Sequence, residues 1–396
     1  MRSVLLGFLL LTACVGPVTE PDIIDATDLV QQNMLVDGHI DLPYALHKGW
    51  YDASIATEQG DFDYPRAMAG GLSTPFMSIY TPARFDGTSE ATEHANAMID
   101  LVEKLVSSAP DKFRIVTSVE EARQAFADGL IGLPLGMENG SPIQNSLPLL
   151  DQFYQRGIRY ITLAHSKSNA ISDSSYDENR QWGGLSEFGK TVVDRMNTLG
   201  IMVDISHLSD AAAWQVLDLS KAPVIASHSS ARHFTPGSER NMSDDMIVEL
   251  GKKGGVIMIN FGTFFLTEAG NAYGKIRDQA YADYLESEQL VDTDEIKAAF
   301  RENYEQRVPY PYANIDNVLD HIDHVVKLAG IESVGIGSDY DGVGDSLPTG
   351  LKDAGEYPNL VAGLQQRGYA TEDIVKILAE NVLRVWAEVE QYAASL

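Results

Sequence analysis

The chain has 396 residues, 44% hydrophobic and 22% charged, with a formal net charge of −28. That composition fits a large globular protein with ample core material. The acid excess argues against nucleic acid as a partner, because phosphate binding needs a basic surface; a solvated acidic exterior accounts for the charge.

The N-terminus comes first. Met1-Arg2 precedes an apolar run from Val4 to Leu11, too short to span a bilayer as a mature helix and suited to a signal-peptide core. Leu11-Thr12-Ala13-Cys14 resembles the lipobox of bacterial lipoproteins, in which cleavage precedes a lipidated cysteine. The resemblance implies a signal peptide over 1–13, a lipidated Cys14 and a tether over 14–28. A soluble domain over 29–396 would then be held at the membrane of a bacterial envelope, on the periplasmic face of the outer membrane. An ordinary secretory signal with an incidental cysteine is the alternative. Cys14 is the only cysteine, so no intramolecular disulfide can form.

From there apolar, β-branched runs that end in polar residues alternate with helical patterns. Strands are expected at Met34–His39, Leu72–Tyr80, Ile131–Glu138, Ile158–His165, Ile201–His207, Pro223–His228, Gly255–Phe261 and Ser333–Asp339. Helices are expected at Ala91–Ser107, Val119–Ala127, Leu147–Arg156, Ser186–Leu199, Ser209–Leu219, Ser243–Lys252, Arg277–Tyr304, Ile315–Ala329 and Thr371–Tyr392. Ser243 followed by two acids marks a helix start, and Gly200 and Gly330 sit where helices stop. Eight strands alternating with helices predict a (β/α)₈ TIM barrel, with a doubly wound open sheet as competitor. His39, Glu138, His165, His207, His228 and Asp339 each fall at a predicted strand end. In a barrel these ends converge on one mouth; along an open sheet they would be spread out.

In Val36-Asp37-Gly38-His39-Ile40-Asp41, residues i and i+2 of a strand share a side, so His39 and Asp41 can project together as a ligand pair for a borderline cation. Glu138, after an apolar run, is costly unless coordinated or paired with an arginine, and its two oxygens could bridge two cations. A lone histidine at a strand end is more often structural. His207 and His228 at successive ends, joined with His39, Asp41 and Glu138, make a dinuclear site chemically reasonable. His39 and Asp41 would serve one metal, His207 and His228 the other, with Glu138 between. His94, His321 and His324 fall in helical segments and are poorer candidates, while His47 and His233 stay ambiguous.

The opening string, with Leu42-Pro43 after it, resembles the first motif of the membrane dipeptidases, the renal dipeptidase family of zinc peptidases. The resemblance continues through Gly157–His165, Asp204–His207, Pro223–Ser230, Arg240–Asp245, Val334–Gly342, Tyr357–Leu360 and Asn381–Trp386, in the family's order and over nearly all the chain after the tether. It implies a (β/α)₈ barrel whose binuclear zinc site hydrolyses dipeptides, including those with a C-terminal D-residue, by a metal-bridging hydroxide. Carried over, His39, Asp41, Glu138, His207 and His228 are the ligands, with Glu138 bridging. His165 steadies the substrate oxyanion, Arg240 holds the dipeptide's C-terminal carboxylate, Asp339 carries the proton and Tyr44 lies near the substrate. A homodimer is usual in the family. Three features depart from its pattern: Asn139 replaces the usual glycine, the neighbourhood of Lys167 differs from vertebrate members, and the segment from His228 to Arg240 is one residue longer. The competing readings are another metal-dependent amidohydrolase, acting on a lactam or lactone, and a lipid-anchored solute-binding protein. The former usually starts with H-x-H and often has a carbamylated lysine where Glu138 stands. The latter would show two similar lobes. The stretches 50–63 and 262–312 are expected to shape the pocket, with Phe264, Phe265 and Tyr310 as walls.

Overall fold

A computed structural model describes residues 24–396; the expected signal peptide and the lipidation at Cys14 lie outside them. The described strands are β1 (Val36–Ile40), β2 (Thr74–Tyr80), β3 (Phe113–Ile115), β4 (Ile131–Leu133), β5 (Leu135–Glu138), β6 (Ile158–Thr162), β7 (Met202–Asp204), β8 (Ile225–Ser229), β9 (Val256–Ile259) and β10 (Val334–Ile336). Eight of them close into a parallel barrel in the order β1-β2-β5-β6-β7-β8-β9-β10, sealed where Asp37 of β1 pairs with Ile336 of β10. Helices separate the strands, so the fold is the expected (β/α)₈ barrel.

The run from Ile131 to Glu138 was expected as one strand and is two. Pro134, without an N–H, divides it. β4 pairs with β3 in a separate two-stranded sheet, while β5 enters the barrel between β2 and β6. Four other strands stop short of the expected ends, β9 at Ile259 among them. β6, β7 and β10 finish at Thr162, Asp204 and Ile336, so His165, His207 and Asp339 ride on the loops that follow. The expected helix Arg277–Tyr304 is also two, Glu268–Glu288 and Asp294–Arg307. Gln289, in the left-handed region at φ 54°, ends the first, and the Thr293 side chain caps the second. Tyr273, Tyr281, Phe300 and Tyr304 give this pair its own small core. Residues 26–28, expected in the tether, already belong to a helix, Ala26–Gln32, which buries Leu29 and Val30. The helices Leu42–Lys48, Tyr64–Gly70 and Tyr357–Gln366 were not foreseen; each carries a proline in its first turn, where the missing N–H costs nothing. Among the described residues, no helix is long and apolar enough to cross a membrane.

Large side chains fill the lower barrel. Phe76 lies 5.3 Å from the Tyr160 ring and 5.4 Å from Trp386, which belongs to the closing helix Asn381–Ala394. Gly136 is required here, because a Cβ at that position would stand 2.0 Å from the Tyr160 ring. This packed floor holds the Tyr160 hydroxyl up against the polar mouth.

Candidate metal centre

The barrel brings seven predicted residues to one point. The Glu138 Oε1 atom stands 3.2 Å from His207 Nε2, 3.4 Å from His228 Nε2 and 3.4 Å from His165 Nε2. Its Oε2 stands 3.5 Å from His39 Nε2, which is 3.6 Å from Asp41 Oδ2. The two carboxylate oxygens thus serve two sides of one cluster. Asp339 completes a third donor group with His39 and Asp41. Asp41 begins the helix Leu42–Lys48 but makes no capping bond, which leaves its carboxylate for the site.

The surroundings aim these donors. The His39 Nδ1 atom lies 2.8 Å from the Tyr160 hydroxyl, which leaves Nε2 facing Glu138. Asp204, at the end of β7, accepts from Ser227 Oγ at 2.6 Å and from Thr162 Oγ1 at 2.5 Å. Ser227 Oγ in turn lies 2.7 Å from His228 Nδ1. With the hydroxyl committed to Asp204, its oxygen accepts the Nδ1 proton, and the Nε2 lone pair points at the site. Asp37 is wholly buried. It accepts from the backbone N–H of His39 at 2.9 Å and of Ser338 at 3.0 Å, and from the Tyr357 hydroxyl, tying β1 to the loop after β10. That tie sets His39 beside Asp339. His207 and Asp339 hold φ at 67° and 63°, left-handed backbone that non-glycine residues adopt at a cost. Asn139 has φ 74°, which explains how it stands where the resembled family has glycine: asparagine tolerates this conformation. Its amide donates to the Thr81 carbonyl and to Asp86.

The donor set suits divalent cations. His39 Nε2 and Asp41 Oδ1 are buried without a hydrogen-bond partner, and the Nε2 atoms of His207 and His228 face each other at 2.7 Å. Burial, with the Arg240 charge and neighbouring imidazoles adding to it, holds His207 and His228 well below the ordinary histidine range, so both are neutral. Burial would raise Glu138, but His165, His39 and hydrogen bonds from His207 and His228 outweigh it, and the carboxylate stays ionised far below its ordinary range. Imidazoles, those of His207 and His228 neutral, around buried carboxylates are a donor set for zinc or a similar ion.

Around the cluster lies a cleft of about 350 Å³, walled by Tyr44, Tyr80, Tyr176, Phe264 and Phe265, with Lys48 at its rim. Tyr44 meets Tyr80 edge-on at 4.9 Å. Phe264 and Phe265 line it as expected, whereas Tyr310 walls an adjoining cavity instead. Arg240 is buried. It donates from Nη1 to Ser229 Oγ at 2.8 Å and from Nη2 to the His228 carbonyl at 2.7 Å, and Nη2 lies 3.0 Å from His207 Nε2. The extra residue before it therefore does not carry it away from the site. Asp339 Oδ2 accepts from Asn260 Nδ2 at 2.7 Å. Burial pushes the Asp339 carboxyl up to about 7; His39 opposes this, Asp41 and Glu138 add to it, and the Asn260 bond opposes it.

Tyr160, Asp204, Ser227 and Asn260 were not singled out from sequence. A polar residue closing an apolar strand was the available signal for Asp204 and Asn260. Nothing marked Tyr160, which lies inside β6. The poorer candidates stay outside the cluster. His94 contacts the Tyr80 carbonyl, His47 packs edge-on against His94, and both nitrogens of His321 bond to backbone groups.

Barrel, buried donors and polar mouth define a metal-dependent hydrolase. Residues 24–396 match the model of the membrane dipeptidase family, peptidase family M19. The probable dipeptidase PvdM from Pseudomonas aeruginosa superposes with a TM-score of 0.81 at 27% identity, over 93% of this chain and 98% of its own. A metallo peptidase from Rhodobacter sphaeroides, solved with a phosphinate mimic of the dipeptide L-Ala-D-Ala, gives 0.73 at 25% identity, over 90% and 99%. An amidohydrolase from Pseudomonas aeruginosa shares the fold, with a TM-score of 0.70 at 21% identity. The chain belongs to the membrane dipeptidase family and is a metallopeptidase that hydrolyses dipeptides.

Proposed function

We propose that this enzyme uses two zinc ions to cleave dipeptides with a free C-terminal carboxylate, including those whose C-terminal residue is D. The observation that carries this reading is the split of Glu138, one oxygen toward His39 and the other toward His207 and His228. His39, Asp41 and Glu138 would hold one ion, and Glu138, His207 and His228 the other. When bound there, the ions supply an activated water and polarise the scissile carbonyl. Acceptance of a D-residue is supported by the L-Ala-D-Ala mimic bound in the Rhodobacter sphaeroides relative.

The chain's own groups do the rest. Arg240 binds the substrate carboxylate through a guanidinium fork, and so sets the distance from carboxylate to scissile bond at one residue. His165 reaches the Glu138 oxygen that His39 does not face, and donates to the oxyanion that forms as the carbonyl is attacked. Asp339 accepts the proton released by the attacking water at the carboxylate oxygen not held by Asn260, then delivers it to the leaving amine. A carboxyl poised near neutrality suits both transfers. Tyr44 and Phe265 wall the cleft and exclude water from the bound peptide.

Arg240→Ala tests the carboxylate anchor. A charge-assisted hydrogen bond contributes about 1.5–3 kcal/mol, so KM should rise roughly 10- to 100-fold with kcat much less affected. Wild-type discrimination against C-terminal dipeptide amides should shrink in the variant. Unchanged KM and discrimination would move the anchor to Lys48 at the rim. Arg232 is a poor substitute, since its guanidinium is already paired with Asp210.

A further inference from the structure

A second cluster lies outside the barrel mouth. His233 sits on the turn Arg232–Phe234, between His228 and Arg240; Asp244 opens the helix Asp244–Lys252; His324 belongs to the helix Ile315–Ala329. One donor atom of each lies within 4.8 Å of the other two. The His233 and His324 rings stack at 4.5 Å with 21° between their planes, and Phe234 lies 5.6 Å from His324 on an edge. Phe234 and His233 thus fix the His324 ring, whose Nε2 lies 2.8 Å from Asp244 Oδ1.

We propose that His233, Asp244 and His324 form a separate cation site, selective for imidazole-preferring divalent ions such as zinc. His321 and His324, poorer candidates by sequence, are spaced i, i+3 on one helix, and His321 is committed elsewhere: its Nδ1 accepts from the Ala231 N–H at 3.0 Å, and its Nε2 donates to the Leu266 carbonyl at 3.0 Å. The partner of His324 is instead His233, brought in from another element. Two imidazoles and one carboxylate match zinc, nickel or copper rather than magnesium or calcium, which prefer oxygen donors. His324 is mostly covered, its side chain 13% exposed, while Asp244 is 46% exposed and His233 is exposed, so an ion has a path from solvent. The cation takes the place of the hydrogen between His324 Nε2 and Asp244: a neutral His324 carries its one proton on Nδ1 instead, and an imidazolium gives its second proton to solvent. Nothing is oxidised or reduced. The fourth position is left to water. The acidic chain, at −28, favours cation capture. A cation held here ties the segment carrying Arg240 to two outer helices.

The test compares wild type, His233→Ala and His324→Ala after dialysis to equilibrium against buffered zinc, with metal counted by atomic emission. Wild type should hold one equivalent more than either variant, and should gain an increment in unfolding temperature with zinc that His233→Ala lacks. Magnesium should produce no such difference. Equal zinc in wild type and His233→Ala overturns the site. Because the exposed His233 carries no packing load in the barrel, that variant should melt like wild type in chelator. The readout is the difference between proteins, so it stands whatever number of ions the barrel mouth holds.

Discussion

Asp339→Asn is expected to lower kcat by about 10²- to 10⁴-fold, the usual contribution of a positioned acid–base group, while KM and bound metal stay near wild type. The substitution keeps shape and removes the ability to take a proton. The Asn260 amide donates to Asp339 Oδ2 at 2.7 Å, which holds the side chain in place and leaves its other oxygen for the reaction. Burial pushes this carboxyl up to about 7, so it can both accept and return a proton near neutral pH. An asparagine accepts none. Near-wild-type turnover in the metal-loaded variant would remove Asp339 from the proton path, and metal loss would make it a ligand instead.

Glu138→Gln is expected to lower activity at least as far, by roughly 10²- to 10⁴-fold, but with loss of bound metal. The loss comes from charge. In the wild type one carboxylate faces four imidazole nitrogens, Oε1 toward three and Oε2 toward His39, and Ser78 donates to Oε2 at 3.3 Å. The amide keeps a single acceptor oxygen and turns an N–H toward one side. Two cations sharing this bridge would lose their common anion, which costs several kcal/mol, each 1.36 kcal/mol being tenfold. Metal analysis separates the two variants: Asp339→Asn should retain its ions, Glu138→Gln should not. A Glu138→Gln protein with full metal and full activity would show that Asp41 and the three ligand imidazoles suffice.

The barrel was legible because apolar runs ending in histidine or a carboxylate recur at the right spacing, and because the family's motifs follow in order. A single histidine or carboxylate closing a buried strand is more often structural; His39, Asp41, Glu138, His207 and His228 could be named together because such ends recur along the chain and the family's motifs carry them. Boundaries were less legible. A single proline splits 131–138 between two sheets, and the left-handed Gln289 cuts one expected helix into two, because local chemistry overrides the pattern around it. The supporting residues were hidden for another reason. Tyr160 reads as an ordinary core aromatic, and only barrel closure brings its hydroxyl 2.8 Å from His39 Nδ1, across 121 residues of sequence. The same holds for Asn260 and Asp339, 79 residues apart. His233 and His324 meet through tertiary packing that no motif records.

The most direct test of the account is release of free amino acids from matched di- and tripeptides by the metal-stripped enzyme, before and after zinc is restored. Stripped enzyme should be inactive. Zinc should restore cleavage of L,L- and L,D-dipeptides and leave tripeptides intact, because the anchoring proposed for Arg240 would require a carboxylate one residue beyond the scissile bond. Cleavage that persists without metal, or tripeptides cut as readily as dipeptides, would contradict it.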